Sequence, residues 1–180
     1  MTEPISGSCA PAGIYLAGFM GSGKSTVGRL LADELFWPFV DLDEEIERRE
    51  GTAISQIFAD KGESGFRQAE HEALLEQAAL VRTGNRRVVA LGGGTFAFAR
   101  NREALREAGL TLWLDAGSEV LWGRVCGATH RPLARDRAAF DRLHAARRQS
   151  YARADERIDA AVDPVSVVAS ILALGSIKGR

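Results

Sequence analysis

Gly18-Phe19-Met20-Gly21-Ser22-Gly23-Lys24-Ser25-Thr26 follows directly on the apolar run 14–17 and opens the stretch 24–36, where Val27, Leu30, Leu31 and Leu35 recur at helical spacing. Residues 18–25 satisfy G-x-x-x-x-G-K-[ST] between a strand and a helix, the context in which that pattern cradles phosphate. Several backbone N–H groups must point into one concavity, so glycines are needed where a side chain would fill it or forbid the conformation. Gly21 and Gly23 supply that freedom, and Ser22 and Thr26 complete the nest around the helix start. The helix amides and positive dipole end favour an anion, Lys24 can reach the β and γ phosphates, and Ser25 can ligate Mg²⁺.

Working outward, short apolar runs alternate with longer amphipathic stretches. Residues 14–17, 39–42, 88–91, 110–114 and 157–161 read as strands, the last one interrupted by Asp159. Residues 24–36, 63–81 and 101–108 keep a helical period, and Asp163-Pro164 looks like a cap and first helical position for a last helix through Leu174. Strands separated by helices predict right-handed crossovers and a five-stranded parallel sheet covered on both faces, an α/β three-layer sandwich. The 180 residues suit a single domain at 13–180, preceded by a small, polar, proline-bearing tail at 1–12 that is expected to be disordered. Net charge of −1 argues against nucleic acid or an anionic membrane as partner. No apolar run approaches a membrane span, and the first residues lack the order of a signal peptide. Cys9 and Cys126, far apart, form neither a metal set nor a disulfide framework, so a reducing, cytoplasmic compartment is expected, and with no obvious exposed apolar helix a monomer is expected too.

A phosphate loop does not choose the acceptor. Asp41 and Asp43 close the second strand at the sheet's carboxyl edge, where open α/β folds place ligands. One carboxylate could support the metal through water while the other accepts a hydrogen bond, then the proton, from an acceptor hydroxyl. Capping the helix that contains Glu44, Glu45 and Ile46 is the competing task for Asp43. Arg67 and Glu70, at i and i+3, suit a carboxylate-steadied guanidinium that grips a substrate anion. An ordinary surface pair worth ~0–1 kcal/mol fits the same spacing. Gly92, Gly93 and Gly94 follow the third strand and would let a ligand ring approach the backbone; a flexible turn is the alternative. Between Arg124 and Arg153 lie eight arginines, among them Arg131 and Arg147, with Gly127 and Pro132 near the start. This suits a closing lid that meets phosphate charge and excludes water.

Taken together, 18–26, Asp41-x-Asp43, Phe66-Arg67-x-x-Glu70, Gly92-Gly93-Gly94, Arg131-Pro132-Leu133 and Arg147 with Tyr151 resemble the shikimate kinase family in order and spacing, from about Gly13 to about Leu174. The resemblance implies a P-loop NTPase of nucleoside-monophosphate-kinase-like fold, with a mobile lid at about 126–138 and a substrate-binding segment at about 43–70. It implies transfer of the ATP γ-phosphate to the shikimate 3-hydroxyl. Lys24 and Ser25 would hold ATP and Mg²⁺, with Asp41 supporting the metal. Asp43 would receive the hydroxyl, Arg67 and Arg147 the substrate carboxylate, and Glu70 would steady Arg67. The ring would lie on Gly92, Gly93 and Gly94, while Arg131 would reach the phosphates and Arg124 would stack on adenine. The chain departs from many relatives at Ala134, where another leucine is common, and in its longer start. A gluconate kinase of the same architecture, and a catalytically silent ATP-binding regulator, are the alternatives weighed.

Overall fold

Successive side chains of each short strand point to opposite faces, and that alternation of direction sets the layers. The computed structural model describes residues 11–126 and 136–178. In chain order it forms β1 (Gly13–Ala17), α1 (Lys24–Leu35), β2 (Phe39–Asp41), α2 (Leu42–Glu50), α3 (Ile54–Arg82) and β3 (Arg87–Ala90). A 3₁₀ turn (Thr95–Ala97), α4 (Ala99–Leu105), β4 (Leu110–Asp115), α5 (Ser118–Val125), α6 (Arg137–Tyr151), β5 (Glu156–Asp159), α7 (Pro164–Leu172) and α8 (Gly175–Lys178) follow. The five strands pair in parallel in the order β2-β3-β1-β4-β5, with Ile14 opposite both Val88 and Leu110.

Ile14 and Leu16 of β1 point to one face, where Val88, Leu112, Leu114 and Ile158 join Val27 and Leu31 of α1 and Val167, Val168 and Ile171 of α7. Tyr15 and Ala17 point to the other, where Val89, Leu91 and Trp113 meet Leu42, Ile46, Ile57, Phe66, Leu74 and Phe140 from α2, α3 and α6. Period-2 alternation thus produces two cores and three layers. From the neighbouring carboxyl ends of β1 and β3 the chain leaves in opposite directions, toward β2 and toward β4, which opens the crevice where such sheets bind ligands.

Several boundaries differ from the sequence reading. The second strand stops at Asp41, and Asp43 lies in the first turn of α2; the cap is Asp41, whose Oδ1 accepts from the Asp43 amide at 3.1 Å. The capping task proposed for Asp43 is therefore taken by its neighbour. Helix α3 starts nine residues before the expected 63 and is broken at Gly62 (φ 68°, ψ −176°), so Phe66, Arg67 and Glu70 occupy the first turns after the break. Helix α4 starts and ends earlier than 101–108, and β5 ends at Asp159 instead of Ala161. The cap at Asp163, accepting from Ser166 N at 3.0 Å, and Pro164 at the helix start stand as expected. Ala12 already accepts from Arg87 N at 3.2 Å, so the sheet's bonding reaches one residue into the expected tail. The first ten residues and most of the expected lid, with Arg131, Pro132 and Leu133, lie outside the described residues.

Candidate active site

Between β1 and α1 the backbone turns through Gly21 (φ 82°) and Gly23 (φ 88°), conformations that a side chain would strain. Helix α1 has no side-chain cap, which leaves its first amides directed at the loop's concavity. Lys24 Nζ donates to the carbonyls of Gly18 at 2.9 Å and Phe19 at 3.3 Å, folding back across the loop. Beside it opens a cleft of about 780 Å³, lined by residues 20–27, Arg124, Val125, residues 160–164 and Val167. Arg124 donates to the carbonyls of Gly21, Ala160, Ala161 and Val162, tying α5 to the phosphate loop and to the connection between β5 and α7.

Ser25 Oγ donates to Asp41 Oδ2 at 2.6 Å, so the loop and the end of β2 present a hydroxyl and a carboxylate together. Hard oxygen donors of this kind suit Mg²⁺, which takes one or two carboxylates and completes its shell with water and phosphate. Among the described residues no group of three or more His, Cys, Asp or Glu side chains could hold a metal by itself.

The acceptor candidates converge on the triple glycine after β3. A Cβ on Gly92 would stand 2.6 Å from Asp43 Oδ1, 2.9 Å from Thr95 Oγ1 and 3.3 Å from Glu70 Oε1. One on Gly94 would meet both terminal nitrogens of Arg67 at 3.0 Å. Neither glycine has a positive φ; they are needed for space, which the site's own side chains occupy. Arg67 Nη1 donates to both oxygens of Glu70 at 3.0 Å, and its guanidinium lies over the rings of Phe66 and Phe98 at 4.9 and 5.0 Å. Glu70 is 1% exposed, so the pair is not the surface bridge that the spacing also allowed. Arg147 Nη1 and Tyr151 Oη, one turn apart on α6, both donate to Gly93 O, at 2.8 and 2.6 Å. Burial pushes the Tyr151 hydroxyl up to about 12, against the lowering effect of Arg147, so it stays a donor.

Sequence reasoning passed over Phe19, whose buried ring packs edge-on against Phe140 and His144 of α6 and lies under the Arg147 guanidinium at 5.7 Å. It also passed over Asp115, 4% exposed at the end of β4, which holds Arg148 of α6 and Arg157 of β5. Two arginines of the expected lid set therefore serve the frame: Arg148 pairs with Asp115, and Arg137 with Glu119 and Asp141. Arg137 and Asp141 are an i,i+4 pair on α6, but the partners of Arg148 and Arg157 at Asp115 lie 33 and 42 residues away, where no local pattern marks them.

Residues 20–174 match the family model described as shikimate kinase. This chain belongs to the shikimate kinase family. The shikimate kinase of Persephonella marina is 43% identical over 162 residues, covering 88% of this chain and 96% of the relative. The crystal structure of the shikimate kinase from Aquifex aeolicus superposes with a TM-score of 0.81 at 39% identity, covering 93% of this chain and 96% of the other. The Acinetobacter baumannii shikimate kinase, solved in complex with shikimate, gives 0.78 at 35% identity over 89% and 90% of the two chains. A gluconokinase from Sinorhizobium meliloti, at 20% identity and a TM-score of 0.54, shares the fold alone.

Proposed function

We propose that this shikimate kinase family member transfers the γ-phosphoryl group of ATP to the 3-hydroxyl of shikimate, giving shikimate 3-phosphate and ADP. The observation that carries the reading is the gathering of Asp43, the Glu70-held Arg67 and Arg147 around Gly92, Gly93 and Gly94, at the same sheet edge as the phosphate loop. The substrate carboxylate meets the guanidinium groups of Arg67 and Arg147, whose planar forks suit a carboxylate. The ring lies on the triple glycine and turns a hydroxyl toward Asp43. The bond from that oxygen to the γ phosphorus forms as the bridging bond to the β phosphate breaks, and the hydroxyl proton passes to the Asp43 carboxylate. ATP occupies the cleft beside residues 21–26, with Lys24 at its phosphates and Arg124 at the base. Arg131, outside the described residues, is assigned by family resemblance to the phosphates. Ser25 would hold Mg²⁺ directly and Asp41 through water, and the ion would neutralise phosphate oxygens. The enzyme works as a cytoplasmic monomer; among the described residues no helix is long and apolar enough to cross a membrane.

Coupled ADP release by the purified protein with Mg·ATP tests the reading against shikimate, gluconate, AMP and no acceptor. Release that depends on shikimate is expected. Release with gluconate alone would keep the phosphate chemistry and overturn the roles given to Arg67, Arg147 and the triple glycine.

A further inference from the structure

The turn that follows the triple glycine carries polar groups for which the transfer reaction itself has no use. Thr95 is fully buried and Asn101 is 1% exposed. Thr95 Oγ1 donates to Glu70 Oε1 at 2.7 Å, the oxygen that also receives Arg67. The Thr95 carbonyl accepts from Asn101 Nδ2 at 2.9 Å, and Asn101 Oδ1 pairs at 2.7 Å with His71 Nδ1, which must carry a proton there. Arg102 Nη1 donates to the carbonyls of Phe96 and Ala97 at 2.8 Å each, and Arg100 donates to the Arg67 carbonyl at 2.7 Å. The turn is thus fixed from α4 on one side and from α3 on the other.

A buried carboxylate with one cationic partner has lone pairs to satisfy, and its orientation is set by whatever satisfies them. Glu70 has both oxygens on Arg67 Nη1, a single donor atom, and among the described residues the Thr95 hydroxyl is the further hydrogen bond that resists swinging of the carboxylate about that nitrogen. We infer that Thr95, held by Asn101, is a positioning residue for acceptor binding: it sets Glu70, and Glu70 aims the Arg67 guanidinium at the substrate carboxylate. Its effect is confined to the acceptor side, because the chain of bonds runs from α4 to α3 and does not enter the nucleotide cleft. The inference rests on the reading of Arg67 as the anion anchor.

Steady-state kinetics of the full-length enzyme with Mg·ATP and shikimate test it in Thr95→Val, Thr95→Ser and Arg67→Lys, with Thr95→Ala replacing the valine variant should that fail to fold. A hydrogen bond to a charged group is worth about tenfold or more, so Thr95→Val is expected to raise the shikimate KM about tenfold with kcat within about threefold. The ATP KM stays unchanged, and Thr95→Ser, which keeps the hydroxyl, restores the shikimate KM. A wild-type shikimate KM in Thr95→Val, beside a raised one in Arg67→Lys, overturns the inference and leaves the anchor standing. Unchanged shikimate KM in Arg67→Lys overturns the anchor and this inference with it. Parallel loss of both KM values without rescue by serine marks Thr95 as merely structural and also overturns it.

Discussion

At Gly92 the site leaves no room for a methyl group. A Cβ there would overlap Asp43 Oδ1, and at Gly94 it would press on Arg67, whereas at Gly93 the nearest atom, Arg147 Nη1, is 3.6 Å away. Alanine is therefore expected to act in graded fashion: Gly92→Ala displaces the hydroxyl acceptor and lowers kcat/KM by about a hundredfold or more, since displacement of about 1 Å costs that much. Gly94→Ala pushes the guanidinium aside and raises the shikimate KM, and Gly93→Ala is the mildest of the three; kinetics on the set measure the order. Asp43→Asn keeps shape and loses proton acceptance, so kcat is expected to fall about 10²- to 10⁴-fold with ATP binding retained, which titration calorimetry checks alongside turnover. Sequence reasoning singled out these glycines as room for a ligand. That their space is shared with Asp43, Thr95 and Arg67 follows from tertiary approach of three separate elements, which no local pattern records.

The strands were legible as short apolar runs because a parallel sheet covered on both faces buries successive side chains on either side, as Ile14, Tyr15, Leu16 and Ala17 do. Helix α3 was legible only after Gly62, because the glycine breaks the helical path and the residues before it present a separate short face built on Ile57. Asp41 and Asp43 were assigned to one strand end, yet the chain turns into α2 between them and gives them different neighbours. In α6, His144 is a polar residue buried by the element's packing on Phe19, with Arg148, Asp115 and Asp141 as its charged neighbours. Burial, aided by Arg148 and opposed by Asp115 and the Ala116 carbonyl, lowers its pKa below 6.5. The native state then binds less proton than the unfolded chain, so stability contributed by neutral His144 is present above the unfolded value and is lost as pH falls below it. Urea unfolding at about pH 7.5 and about pH 5.5 is expected to show a smaller acid-side loss in His144→Gln than in the wild type. Equal losses in the two proteins would place the titrating group elsewhere.

Across the whole molecule, α6 joins the two ligand regions. Its Phe140 and His144 hold Phe19 of the phosphate loop, its Arg147 and Tyr151 hold Gly93, and its Arg148 is clamped through Asp115 to β4. The Asp115 carbonyl in turn accepts from Ala160 N at 2.7 Å, and Ala160 lines the nucleotide cleft. A ligand that binds only the folded state stabilises it by about 2.7 kcal/mol at a hundred times its Kd. For a chain of 150–250 residues, each kcal/mol moves Tm by about 2–4 °C, so shikimate at that concentration should raise Tm by about 5–10 °C, and nucleotide likewise. The two arms separate the sites. Arg67→Lys should lose most of the shikimate shift at the same concentration and keep that of a non-hydrolysable ATP analogue with Mg²⁺, because lysine cannot reproduce the bidentate fork and the nucleotide cleft is built from other residues. Differential scanning fluorimetry on the wild type and this variant, with each ligand alone, reads both shifts. If the variant kept the full shikimate shift, the carboxylate would be held elsewhere than at Arg67. If it lost the nucleotide shift as well, the substitution would have disturbed the shared frame through α6 instead of one arm of the site.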